Sequence, residues 1–126
     1  MKPRELPGLI VEVTQVVHAV ELSGPPDRPH VFVYFITITN ESEETVTIKG
    51  RKWVVREAGG NVIAVEGDGV VGEFPRLEPG ESFQYNSSHT VAVDAVAEGA
   101  YLGLTDAGEP VFTRIPPFEM QVPESF

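Results

Sequence analysis

From His30 to Glu41 the chain runs His-Val-Phe-Val-Tyr-Phe-Ile-Thr-Ile-Thr-Asn-Glu, and no other stretch limits the fold as tightly. Phe32, Tyr34, Ile36 and Ile38 fall on one face of a two-residue repeat, while Val31, Val33 and Phe35 lie opposite and give way to Thr37 and Thr39. That period belongs to a β-strand, and apolar side chains on both faces at one end place it centrally, covered by a second layer. Comparable blocks of β-branched and aromatic residues recur between Gly, Pro, Asn and Asp. They predict seven strands, near Leu9 to Leu22, His30 to Glu41, Thr45 to Glu57, Asn61 to Gly67, Glu81 to Ser88, Gly99 to Asp106 and Pro110 to Val122. Strands at this spacing predict an all-β sandwich of seven to eight antiparallel strands.

Phase breaks along two blocks predict bent strands. Val46 and Ile48 are in register with each other, but Trp53 and Val55 are displaced by one position, so a β-bulge is expected at Gly50. In the first block Val11 and Val13 give way to Val16, Val20 and Leu22 around Gln15. Asn40 to Glu44, Ala58 to Asn61 and Asp106 to Glu109 read as turns between adjacent antiparallel strands. Leu77-Glu78-Pro79-Gly80 suits a type II turn. The Ala- and Val-rich segment from His89 to Glu98 predicts a short helical turn. The expected core is Tyr34, Ile36, Ile38, Trp53, Val55, Phe83 and Leu104.

Length and charge bound the function. The 126 residues fit one domain, 1–126, and no apolar run approaches the roughly 20 residues of a membrane helix. Glu12, Thr14 and Gln15 interrupt the apolar start, so no secretory h-region is read and cytoplasmic residence is expected. Cysteine is absent, which excludes disulfides, thiolate metal sites and cysteine nucleophiles. A net charge of −10 disfavours direct contact with a nucleic-acid backbone. The same charge serves solubility, or a basic protein partner.

Five blocks together carry a family resemblance over nearly the whole chain. They are Phe32 to Asn40, Arg51 to Val55, Glu66 to Pro75, Leu77 to Tyr85, and Ile115-Pro116-Pro117-Phe118. In these the sequence resembles the ApaG family. The resemblance implies an immunoglobulin-like or fibronectin type III-like sandwich and a protein-interaction unit. It also implies a genetic link to cobalt resistance and magnesium efflux, and it supplies no catalytic residues. The chain departs from the family pattern at Tyr85-Asn86-Ser87-Ser88 and from His89 to Glu98.

Several motifs invite sharper readings. Gly67-x-Gly69-x-x-Gly72 matches a dinucleotide fingerprint as text, but Pro75, Pro79 and Gly80 leave no room for the helix that would hold a pyrophosphate, and Glu66, Asp68 and Glu73 would repel it. Val70, Val71 and Phe74 in that loop either tuck into the end of the sandwich or form a recognition patch. His18, His30 and His89 are widely spaced, so a metal site would need convergence in space, and no metal or other cofactor is expected. Ser87, Ser88, His89 and Asp94 lack the elbow of a nucleophile motif. Arg51, beside the expected bulge, predicts a carboxylate partner or an exposed site, with pairing favoured.

The sequence therefore predicts a binding domain with no catalytic residues, and a protein partner. Its candidate recognition loop is Gly67, Asp68, Gly69, Val70, Val71, Gly72, Glu73 and Phe74. The alternative is a sensor for a phosphate metabolite or divalent cation. Neither nucleic acid nor membrane is expected as a partner, and self-association stays open.

Overall fold

The computed structural model describes residues 2–123 and is all-β. Its strands are β1 (Arg4–Glu5), β2 (Leu9–His18), β3 (His30–Asn40), β4 (Val46–Glu57), β5 (Val62–Asp68), β6 (Arg76–Leu77), β7 (Ser82–Val91), β8 (Ala95–Thr105) and β9 (Pro110–Met120). The seven long strands correspond to the seven expected from the sequence, and β1 and β6 are two-residue additions. One sheet has the order β1-β9-β8-β4-β5, with β6 also on β4, and the other the order β2-β3-β7. All pairings are antiparallel except that of β1 with β9. The two sheets close on one hydrophobic core.

β3 is central in its sheet, and Phe32, Tyr34, Ile36 and Ile38 all point into the core. Across the interface Trp53 of β4 is 1% exposed and meets Tyr34 at 5.0 Å between ring centroids. His89 of β7 stacks on Tyr34 at 4.8 Å and meets Trp53 edge-on at 4.7 Å. Phe118 of β9 completes the cluster. Rings from both sheets thus interdigitate, and their burial is the main cohesive term. Both expected phase breaks are present: the register shifts between Ile48 and Gly50 against β8, and between Val13 and Gln15 against β3.

Four expectations are corrected. Leu104 is 37% exposed, on the outer face of β8, because the inward positions of that strand are taken by Ala95, Ala97, Tyr101 and Gly103. At Gly103 there is no room for a side chain: a Cβ there would stand 2.9 Å from both Thr47 O and Val46 Cγ1. The segment from His89 to Glu98 contains no helical turn; β7 continues to Val91 and β8 begins at Ala95, so the strand period overrides alanine's helix propensity. β2 ends at His18, where the chain turns (Leu22 N–H to Ala19 O, 3.1 Å) and leaves Val20 and Leu22 exposed. Asn40 to Glu44 does not join neighbouring strands but carries the chain from one sheet to the other.

That crossover is fastened by Asn40, which is fully buried. Its Nδ2 donates to Glu44 O (2.7 Å) and Leu77 O (2.8 Å), and its Oδ1 accepts from the Ser42 amide (3.0 Å) and hydroxyl (2.6 Å). Every polar atom of the side chain is satisfied, which is the condition for burying an amide without penalty. Asn40→Ala should strand the Leu77 carbonyl and cost more than about 2 kcal/mol in urea unfolding, whereas Glu41→Ala on the surface should cost about 0.5 or less.

His89, 9% exposed, is held neutral: burial among the rings pulls its pKa from near 6.5 down to about 4. The unfolded chain binds this proton more readily than the folded one, so stability is full above about pH 6.5 and falls as pH drops toward 4, by up to about 3 kcal/mol. Denaturation midpoints measured across that window should show the decline. The decline should flatten in His89→Phe, which keeps an aromatic ring in place.

Candidate functional site

β5 and β6 lie along the same side of β4, and the residues between them leave the sheet as a loop. Its neck is stitched to β4 by Gly69 N–H to Lys49 O (2.8 Å) and Ile48 N–H to Pro75 O (2.8 Å). These bonds sit at the bulge of β4, where the added residue turns the strand and frees backbone groups on that edge. Beyond the neck, Val70 and Glu73 exchange backbone hydrogen bonds of 2.8 and 2.9 Å around Val71 and Gly72. Both central residues have positive φ, 44° and 81°, the requirement of a type I′ turn.

Val71 carries the only positive φ among the non-glycine residues described. A β-branched side chain is poorly accommodated in this region, at a cost of about 1–2 kcal/mol. It is also 50% exposed, so no burial of its own offsets the strain. Phe74, 53% exposed, lies over Gly69 with the Lys49 ammonium 5.7 Å from its ring centroid. Val70 is fully buried in the core and anchors the loop. The two readings of the apolar trio thus divide by residue: Val70 is structural, while Val71 and Phe74 face outward.

Arg51 organises the neck. Its side chain points to the inner side of β4, with Trp53 and Val55, and its Nη1 donates to Asp68 O (2.8 Å) and Gly69 O (3.2 Å). The expected carboxylate partner is replaced by backbone carbonyls, because the loop brings two of them within reach and Asp68 turns its side chain outward. The guanidinium rests on Gly67: a Cβ there would stand 2.6 Å from Cζ and both terminal nitrogens. Gly69 is fixed by its own close contact, since a Cβ would meet Glu73 O at 2.4 Å. The glycines of the text-level fingerprint therefore have structural reasons, and the loop returns as strand β6 instead of opening a helix.

The remaining candidates separate in space. Glu66 pairs with Lys52 at 3.3 Å, while Asp68 and Glu73 have no cation within 4 Å among the described residues. The β2–β3 pairing brings His18 and His30 together, Nε2 to Nδ1 at 3.3 Å, far from their sequence spacing, but His89 stays in the core. Among the described residues no three His, Cys, Asp or Glu side chains form a group able to hold a metal ion. Asp94 Oδ1 accepts from the Val122 amide (2.6 Å), and among the described residues no hydrogen bond joins His89 to Ser87, Ser88 or Asp94. No described helix is long and apolar enough to cross a membrane.

Sequence reasoning found the loop but missed Lys49 over Phe74 and the contact of Arg51 with Gly67; an Arg two residues from a core Trp, paired in register with Gly67, was the available signal. Gly67→Ala should displace the guanidinium and speed amide hydrogen exchange at Gly69 and Val70. Because the far end of a flexible side chain yields, the loss of global stability should stay near about 1 kcal/mol.

The family model described as the ApaG domain matches residues 20–102. A protein ApaG of Vibrio cholerae serotype O1 is 38% identical over 119 residues, 94% of each chain. Another, of Methylococcus capsulatus, is 37% identical over 123 residues, 97% of this chain and 94% of its own. A crystal structure described as an ApaA protein from Bordetella pertussis superposes with a TM-score of 0.83 at 31% identity, covering 98% of this chain and all of that one. Fold, length and sequence agree along the chain, which belongs to the ApaG domain family.

Proposed function

We propose that this ApaG domain is a non-enzymatic protein-interaction module that engages its partner through the loop from Gly67 to Phe74. One observation carries the reading: an exposed valine is held in a strained backbone conformation at the tip of an otherwise well-fastened loop. Strain that no packing of Val71 offsets persists where a function selects it, and a rigid scaffold presenting an exposed loop is a common arrangement for recognition. Val71 and Phe74 supply apolar contact area at low entropic cost, because the neck is already ordered.

Charge defines the partner's chemistry. Asp68 and Glu73 flank the apolar tip without ion pairs among the described residues, on a protein of net charge −10, so the fitting partner segment carries an apolar side chain flanked by Lys or Arg. A role in divalent-cation handling would on this reading arrive through the partner.

The test is capture of the partner by wild type, Val71→Asp and Val62→Asp, the last on the free edge of β5. Val71→Asp should weaken capture at least about tenfold while moving stability by no more than about 0.5 kcal/mol, since aspartate tolerates positive φ better than valine. Val62→Asp should leave capture intact. Loss in Val62→Asp alone would move the contact to strand addition at β5. Retention in both variants would remove the loop from the interface.

A further inference from the structure

The sandwich is open along one side, where β5 ends one sheet and β7 the other. Between them lies a cavity of about 240 Å³, lined by Arg28, Tyr34, Arg51, Trp53, Val65 and His89, with Ser87 and Thr90 among the hydroxyl groups at its wall. Three polar nitrogens of these side chains are buried without a hydrogen-bond partner among the described residues: Arg28 Nε, Trp53 Nε1 and His89 Nε2. Trp53 and His89 are themselves more than nine-tenths buried. Buried N–H groups are almost always satisfied, so three orphans on residues that line one cavity mark a place where an acceptor belongs. A wider groove of about 430 Å³ along Lys52, Val54, Glu98 and Arg114 has no such group.

The charge of the wall selects the acceptor. Two arginines line the cavity and, among the described residues, no carboxylate does, on a protein that is acidic overall. The register on β4 runs Arg51, Trp53, Val55 opposite Gly67, Val65 and Ile63, so Arg51 stands at one end. Arg28 stands toward the other, near Glu57. Glu57 makes no hydrogen bond or ion pair to Arg28 among the described residues; its Oε1 takes the Asn61 amide (2.8 Å) and its Oε2 the Ala92 N–H (2.7 Å). Arg28 is delivered by the β2–β3 loop, whose Pro25–Arg28 turn is closed by a bond of 2.9 Å. That loop packs on β7: a Cβ at Gly24 would come within 3.1 Å of Thr90 Cγ2.

We propose that this cavity binds a small organic anion, its phosphate or carboxylate oxygens received by Arg28, Trp53 Nε1 and His89 Nε2 and its planar body held against Tyr34 and Trp53. Aromatic walls favour a flat ligand, and converging N–H donors with two guanidinium groups favour an oxyanion over a neutral isostere. In the tautomer with its hydrogen on Nε2, the neutral His89 donates. The site is independent of the partner-binding reading of the loop, although Arg51 borders both.

Trp53 is the chain's single tryptophan, so its fluorescence reports this cavity directly. Titration with phenyl phosphate, benzoate and benzyl alcohol should give a saturable change with at least one of the two anions and none with the alcohol, and the anion that binds should raise the unfolding midpoint. Comparing phenyl phosphate with benzoate decides which oxyanion the site takes. Arg28→Gln should weaken binding at least about tenfold, whereas Arg114→Gln on the outer surface should leave it unchanged. Should Arg28→Gln fail to fold by circular dichroism, Val65→Phe at the mouth of the cavity must abolish binding. The proposal is overturned if neither anion saturates, if benzyl alcohol binds as well as the anions, or if binding survives in whichever of these two variants folds.

Discussion

An arginine that points into a β-sandwich must find oxygen atoms, and where Arg51 finds them shapes one whole side of this protein. Its guanidinium donates to the carbonyls of Asp68 and Gly69, so the chain after β5 must bend back toward β4. It also covers Gly67, which excludes a side chain there. The bulge in β4 between Ile48 and Gly50 lies at the same level and lets the edge amide and carbonyl of Ile48 and Lys49 take the two ends of the loop. The charge also reaches the buried tyrosines: desolvation raises the pKa of Tyr34, Tyr85 and Tyr101, and Arg51 opposes it in each. Backbone oxygens are neutral partners, so the guanidinium keeps its full charge at the opening between the sheets.

The loop and the cavity then have different energetic characters. Along the loop, polar atoms are satisfied by the backbone, Val70 is driven into the core, and the residual strain is confined to Val71. In the cavity the backbone is unstrained among the described residues, and the unfavourable features are side-chain nitrogens without partners. Each arrangement is stable only because the aromatic core beneath supplies a surplus. Tyr34, Trp53, His89 and Phe118 come two from each sheet and pack as one block. Burial of that block outweighs local costs of a few kcal/mol.

The same block explains why hydrophobicity alone misplaced one core residue. β8 runs between β4 and β9, where Gly99 and Gly103 have no room for a Cβ, and its alternation puts Ala95, Ala97, Tyr101 and Gly103 inward and Leu102 and Leu104 outward. Leu104 reads as core by type, but the phase of β8 gives the inward positions beside it to Tyr101, Gly103 and Thr105. His89 reads as the start of a helical turn and is core, because β7 carries it to the centre of the cluster. In both cases the strand's phase within its sheet decides, which residue type alone does not record.

The sequence by itself determined the strands, the phase breaks and most turns, because each depends on side-chain alternation or on residues within a few positions. It also determined that no helix opens after the glycines of the segment from Gly67 to Phe74, since prolines forbid it, although Gly67 and Asp68 end β5 and the loop proper begins at Gly69. Only the tertiary structure decided which of Val70, Val71 and Phe74 faces outward, that Arg51 binds backbone carbonyls, and that Asn40 marks a crossing between sheets. It alone brought Arg28, Trp53 and His89 to one cavity across 61 positions of sequence. Those outcomes depend on contacts between residues far apart in the chain, whose geometry is set by how two sheets pack and not by the order of residues within either one.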